Sequence, residues 1–214
     1  MDGITDLIKD ALRAKLKELG NKCGIKVNVA VEEVAIKPNE SYMKNVDKFV
    51  GHVDMAGIVK PKNNQKLANK LVTFAINGLA NSFCIIVGYF LVYKMTAEEL
   101  HKLTLHIVEE VGKIGYTLVE LVADNASKNT KKFKLLNQEG ILSHEVPHPN
   151  DRKRKFFLSF DSSHIIKNLQ NQLVKVYFTR PVFTEFLLYF YLINNRNFNF
   201  ALVYFYFTLL GGIQ

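Results

Sequence analysis

Cysteine is scarce in this chain: Cys23 and Cys84 are its only two among 214 residues. They make no CxxC, and no group of His and Cys has the spacing of a zinc site, which excludes a disulfide framework and a zinc finger. Such usage fits a reducing, intracellular compartment. A secretory leader is also missing. Met1 to Lys15 carries acids and has no apolar centre, unlike a signal peptide. No apolar run reaches the roughly 20 residues of a membrane-spanning helix. Phe83 to Tyr93 is too short, and the later apolar stretches are split by Asn194-Asn195-Arg196-Asn197. Acids nearly vanish toward the end, where Glu185 is the one acid after Asp161. There is no internal repeat.

What is present suffices for a core. Hydrophobic residues make up 48% and charged residues 22%, which suits one domain of ordinary size plus an extension. The formal net charge is +8, and Ala126 to Lys155 holds eight Lys/Arg against three acids. A basic face formed by Lys128, Lys131, Lys132, Arg152, Lys153, Arg154 and Lys155 would attract polyanions, nucleic-acid phosphates first. The same residues also suit a solvated loop and helix surface.

The densest signal is Tyr116 to Leu136, YTLVELVADNASKNTKKFKLL. Apolar and β-favouring residues from Leu118 to Ala123 stop on Asp124. Asn125-Ala126-Ser127 follows, then helix-forming residues, which predicts strand, turn and helix. Asp124 then stands at the carboxyl end of a strand, where open α/β sheets handle ligands and metals. On local pattern alone the cap of the next helix is the plainer role, and the site role stays open beside it.

Around this stretch the spacing predicts a helix over Ile4 to Leu19, closed by Gly20. Val27, Val29 and Val31 alternate with Asn28 and Ala30, predicting a strand to Val34. Glu32 and Glu33 near its end face opposite sides. Asp47 to Met55 reads as a short returning strand. Lys70 to Leu79 and Phe83 to Tyr93 read as a hairpin whose second member is a central strand. Thr96-Ala97-Glu98-Glu99 is a capping box. It opens a helix with the stripe Leu100, Leu103, Ile107, Val108 and Val111, ended by Gly112, with His101 and His106 on solvated surface. Gly140 to Lys155 reads as a loop with Pro147, Pro149 and the run Arg152 to Lys155. Phe156 to Phe160 is a short strand ending on Asp161, and a helix starts at Ser162. The expected boundaries are a leading amphipathic helix over 1–24, an α/β domain over 25–173, and an atypical tail over 174–214, crowded with Phe, Tyr, Leu and Asn.

Several segments recur in a familiar order. Glu32-Glu33-Val34 precedes Ala35-Ile36-Lys37-Pro38. DKFVGHVD follows at Asp47 to Asp54, then Leu67 to Leu79 and Val87-Gly88-Tyr89-Phe90. ADNASKN surrounds Asp124, and Phe160 to Asn171 carries Asp161, His164 and Lys167. Over about four fifths of its length the chain resembles the RNase H-like domain of P-element-type transposases, the group that includes THAP-domain transposases. The resemblance implies an RNase H-like mixed sheet flanked by helices, here truncated and followed by an aromatic-rich extension. It implies Glu32 and Asp124 as catalytic, metal-holding acids, Mg²⁺ or Mn²⁺ as cofactor, DNA as partner rather than a small-molecule substrate, self-association, and a nuclear location.

The departures from that family matter for chemistry. Glu32 stands where the family has Asp, and Ser162 and Ser163 stand where it has prolines. Its zinc-finger domain, its GTP-binding insertion and its last catalytic acid are not recognisable, and the tail reads like translated non-coding sequence. In such enzymes two divalent ions about 3.5–4 Å apart clamp the attacking and leaving oxygens. Hard carboxylate oxygens hold them. Glu32 is one methylene too long for that role, and small misplacements cost on the order of 100-fold in rate. The expectation is a transposase fragment that keeps the fold and has little or no catalysis. The alternatives are a non-catalytic module that binds nucleic acid or protein, and a membrane-associated protein built on the tail.

Overall fold

In the computed structural model, which describes residues 3–20, 24–44, 47–60, 65–137 and 139–177, the predicted elements fall into place around one sheet. In chain order they are α1 (Asp6–Glu18), β1 (Lys26–Ala35), β2 (Ser41–Met43), β3 (Lys48–Val50), β4 (Lys70–Gly78), β5 (Cys84–Val92), α2 (Ala97–Ile114), β6 (Thr117–Ala123), α3 (Ser127–Leu136), β7 (Glu145–His148), β8 (Asp151–Phe160) and α4 (Ser162–Tyr177). Residues 1–165 form one unit and residues 166–214 another. Within the second, the described part is the continuation of α4. The tail expected over 174–214 lies almost wholly outside the described residues.

The sheet has six strands in the order β5-β4-β1-β6-β8-β7. Strands β1, β4 and β5 are antiparallel neighbours, whereas β1, β6 and β8 run parallel. Parallel neighbours need long crossovers, and α2 and α3 lie within them. Val27, Val29 and Val31 of β1 are buried, as their alternation predicts. They join Phe74, Ile76, Phe90, Leu121 and Phe156 in a core with Leu103 and Ile107 of α2. The mixed sheet flanked by helices is therefore present.

Helix α2 forms as its capping box dictates. The Thr96 hydroxyl accepts from the Glu99 N–H, and the Glu99 carboxylate accepts from the Thr96 N–H. Its end is displaced from the expected one. Gly112 lies inside the helix, and Gly115 is the cap, in the left-handed conformation at φ 116°. A helix tolerates an internal glycine, whereas a left-handed cap favours one.

Three other expectations change. Strand β5 lies at an edge, not in the centre. Its apolar length is explained by what lies against that edge: the Gly3 N–H donates to the Tyr89 carbonyl at 2.8 Å, and the Asp54 N–H to the Leu91 carbonyl at 2.9 Å. The returning strand over Asp47 to Met55 is reduced to β3. It pairs with β2 in a separate two-stranded sheet, and only isolated bridges at His52 and Asp54 follow. The supposed loop from Gly140 to Lys155 contains β7 and the first half of β8, so Arg152 to Lys155 lie on a strand. Their charges look like loop composition, but Lys155 pairs with Pro147 and Asp151 with His148 on either side of a bulge, and Arg152, Lys153 and Lys155 are exposed while Arg154 is half-buried.

Candidate metal centre

Three carboxylates lie at one end of the parallel part of the sheet. Val31 of β1 pairs with Ala123 of β6, and Ala123 pairs with Phe160 of β8. The next residues are Glu32, Asp124 and Asp161, and the Asp161 N–H continues the pairing by donating to the Ala123 carbonyl at 2.8 Å. Asp124 and Asp161 stand just past the carboxyl ends of β6 and β8, while Glu32 lies within β1, where the pairing with β6 stops and the pairing with β4, opposite Thr73, continues. The connection from β1 leads to β4 on one side and the connection from β6 leads to β8 on the other, the usual ligand position of an open α/β sheet.

Glu32 and Asp124 line one cleft of about 30 Å³ with Glu33, Ala126, Lys128 and Asn129. That is room for one water-sized guest. Glu32 also meets Asp161 and His164, with one ligand atom from each of the three within 4.8 Å of the others. Glu32 and His164 are exposed, and Asp161 is half-buried.

Local hydrogen bonds fix these acids. Asp124 Oδ1 accepts from the Ala126 N–H at 2.9 Å and from Asn129 Nδ2 at 2.7 Å. The N-cap of α3 is Ala126, without a side-chain bond, so Asp124 serves a turn rather than a helix cap. Asp161 does hold the start of α4, its Oδ1 accepting from the Ser163 N–H at 2.8 Å. An ionised carboxylate offers about four acceptor positions, so both acids keep capacity for a further partner.

Glu33 accepts from both Lys70 and Lys128. Burial raises its pKa, but the two ammonium groups outweigh that and hold it below the ordinary carboxylate value. The adjacent acids of β1 thus differ in partners as well as in facing direction.

The seven basic residues do not share one face. Lys131, Arg152 and Lys153 are exposed. Lys128 is paired with Glu33, Lys155 lies 3.0 Å from Glu145, and half-buried Arg154 lies 3.6 Å from Asp151. Lys132 is fully buried, because the phase of α3 turns it inward beside Phe133. Burial pushes its pKa down to about 7, with the Asp124 charge opposing that shift. His101 is also half-buried rather than solvated, and burial lowers its pKa. Lys167 is exposed on α4. Sequence reasoning missed Asn129, the side chain that grips Asp124. It lies five residues on, and only the turn into α3 brings it back.

Comparison with known proteins agrees with this architecture. Residues 1–137 match the family described as TNP-like, RNase H N-terminal domain. No curated protein matches the chain. Among solved structures, a chain of the Drosophila P element transposase strand transfer complex is similar over 80% of this chain, with a TM-score of 0.56 and 20% identity. This chain spans 34% of that one. On the match over residues 1–137 and the sheet that carries it, the chain belongs to the TNP-like RNase H N-terminal domain family, with the RNase H-like fold of a transposase.

Proposed function

We propose that this chain is a transposase-derived DNA-handling domain that holds a divalent ion at Glu32, Asp124 and Asp161 and turns DNA over negligibly. The observation that carries it is the gathering of ligand atoms from Glu32, Asp161 and His164 within 4.8 Å, with Asp124 sharing the adjoining cleft with Glu32. The donor set fits the ion. Carboxylate oxygens suit Mg²⁺ and Mn²⁺, and the imidazole of His164 tilts the set toward a transition ion, Mn²⁺ over Mg²⁺. When bound, such an ion supplies charge stabilisation at a phosphodiester. The chain's own part is to hold carboxylates in place, with Asn129 and the Ala126 N–H fixing Asp124. Low turnover follows from the extra methylene of Glu32, since misplacement of about an ångström costs on the order of 100-fold. A second reading, a nucleic-acid-binding module without chemistry, is favoured by the exposed Lys131, Arg152 and Lys153. Action on DNA implies a nuclear location.

Mn²⁺ titration calorimetry, together with a Mn²⁺-supplemented DNA cleavage and strand-transfer assay, tests the proposal. The parent chain should bind Mn²⁺, and Asp124→Asn should not. Absence of Mn²⁺ binding in the parent would remove the ion site. Parent cleavage that Asp124→Asn loses would overturn the low turnover and make Glu32 an acceptable ligand.

A further inference from the structure

A second cavity, of about 530 Å³, lies toward the amino ends of β6 and β8, away from the acids. Leu118 of β6, Arg154 of β8, Gly112 of α2 and His148 of the β7–β8 hairpin line it. Its volume is that of a small-molecule site rather than of a single water.

Two of the lining residues carry buried donor atoms that have no hydrogen-bond partner among the described residues, His148 Nε2 and Arg154 Nε. His148 is only 3% exposed. Its Nδ1 accepts from the Asn150 N–H at 3.1 Å, so in the neutral ring the proton sits on Nε2, which makes that atom a donor. Burial lowers the His148 pKa and the Arg154 charge acts in the same direction, which favours the neutral ring. Arg154 is loosely held. Asp151 Oδ2 lies 3.6 Å from its Nε, too far for a hydrogen bond, and its Nη2 donates to the Leu118 carbonyl at 3.5 Å, the outer limit of one. Buried donors without acceptors are few in folded proteins. Two on the residues of one cavity call for an acceptor from outside the chain.

Gly112 agrees with this. A glycine inside a helix is less stable than an alanine, and packing does not demand one here. A Cβ at this position would meet only Asn150 Nδ2, at 3.7 Å, an ordinary contact. The missing side chain leaves the cavity its room.

We propose that this cavity binds a small organic carboxylate, its oxygens accepting from His148 Nε2 and Arg154 Nε and its carbon body resting against Tyr116 and Leu118. A carboxylate offers two acceptor oxygens and suits an arginine. On the cavity wall Lys113 and Arg154 balance Glu109 and Asp151, and Lys113 is already held by Glu109 at 2.8 Å. The exposed Arg152 and Lys153, next to Arg154 in β8, add the positive charge that one anionic group calls for. The apolar lining favours an organic body over a bare inorganic anion. The site is separate from Glu32, so its fate does not depend on the ion.

The test titrates benzoate into the full chain and follows the side-chain nitrogen resonances of His148 Nε2 and Arg154 Nε. Both should shift along one saturable curve. Inorganic phosphate, which brings charge without a carbon body, should move them only at far higher concentration. His148→Phe keeps a ring against Phe156 and removes the donor, and should bind benzoate about tenfold more weakly. Gly112→Leu keeps both donors and fills the cavity. It should lose benzoate binding while its Tm holds or rises, which a general loss of structure would not produce. No saturable shift in the parent would mean that water alone serves these donors, and would overturn the proposal. An equal response to phosphate, or benzoate binding that survives Gly112→Leu, would overturn it too. If His148→Phe does not fold, Arg154→Met carries the same expectation, and unchanged affinity there would be equally decisive against the site.

Discussion

Lys132 shows how one side chain can set the pH response of a domain. Burial pushes its pKa from 10.5 to about 7. Between those two values the unfolded chain binds a proton that the folded chain has released. Stability therefore rises with pH across that window, and it falls as pH drops toward 7. Lys132→Met has no such proton, so the difference in Tm between variant and parent should shrink steadily from about pH 7 to pH 10. Parallel melting curves across that range would disprove it. A second residue-scale prediction concerns Glu32. Glu32→Asp retracts the carboxylate by one methylene and should raise Mn²⁺-dependent DNA cleavage on the order of 100-fold; no gain in the cleavage assay would show that chain length at this position is not what limits turnover. Asp124 and Asp161 were legible in the sequence because each ends a β-favouring run, and Glu32 because it opens the acidic pair near the end of one. Lys132 was not. Lys131 and Lys132 look alike as neighbours in a basic helix, and which one turns inward depends on the phase of α3 against α2, which only packing decides.

Helices α1 and α2 are joined by charge as well as by apolar contact. Lys9 lies 2.6 Å from Glu110, and Lys113 lies 2.9 Å from the same carboxylate. The hydrogen bonds from Lys9 and Lys113 hold the Glu110 pKa at about 2. A depressed carboxylate stabilises the fold above its unfolded value of 4.5, and that contribution is lost as pH falls from there toward 2. Glu110→Gln should lower stability at neutral pH by on the order of 1 kcal/mol and flatten the acid limb of a Tm-against-pH curve; an unaltered acid limb would show that the clamp contributes nothing. At this scale the β4–β5 hairpin and the capped start of α2 could be read directly, since their signals are local. The β7–β8 hairpin could not. Its strands carry Pro147 and four consecutive cations, and the pairing that makes them strands comes from a partner segment, not from their own composition. The position of β5 was also hidden, because an edge strand with other backbone against it is as apolar as a central one.

Across the whole molecule, the acids and the exposed cations of β8 lie far apart. Nine strand steps separate Arg152 from Asp161, about 30 Å at 3.3 Å per residue. A duplex reaching both would span about nine base pairs at 3.4 Å per step. Binding should therefore be sequence-tolerant and salt-dependent, and Arg152→Glu with Lys153→Glu should reduce the salt slope by about 0.9 for each phosphate no longer neutralised. Fluorescence anisotropy over a salt series measures this; an unchanged slope would mark those residues as solvated only. Among the described residues no helix is long and apolar enough to cross a membrane. One pairing at the sheet edge bears on how copies of the chain behave together. The sequence of β5, CIIVGYFLV, lacks charge and proline, and an open edge of that kind recruits other strands into aggregates. Gly3, pairing at Tyr89 with φ 83°, acts as a stopper on that edge, and a Cβ there would meet the Ala56 Cβ at 2.8 Å. Gly3→Val should therefore be felt as lost solubility, seen as concentration-dependent light scattering while the far-UV spectrum of the fold is retained.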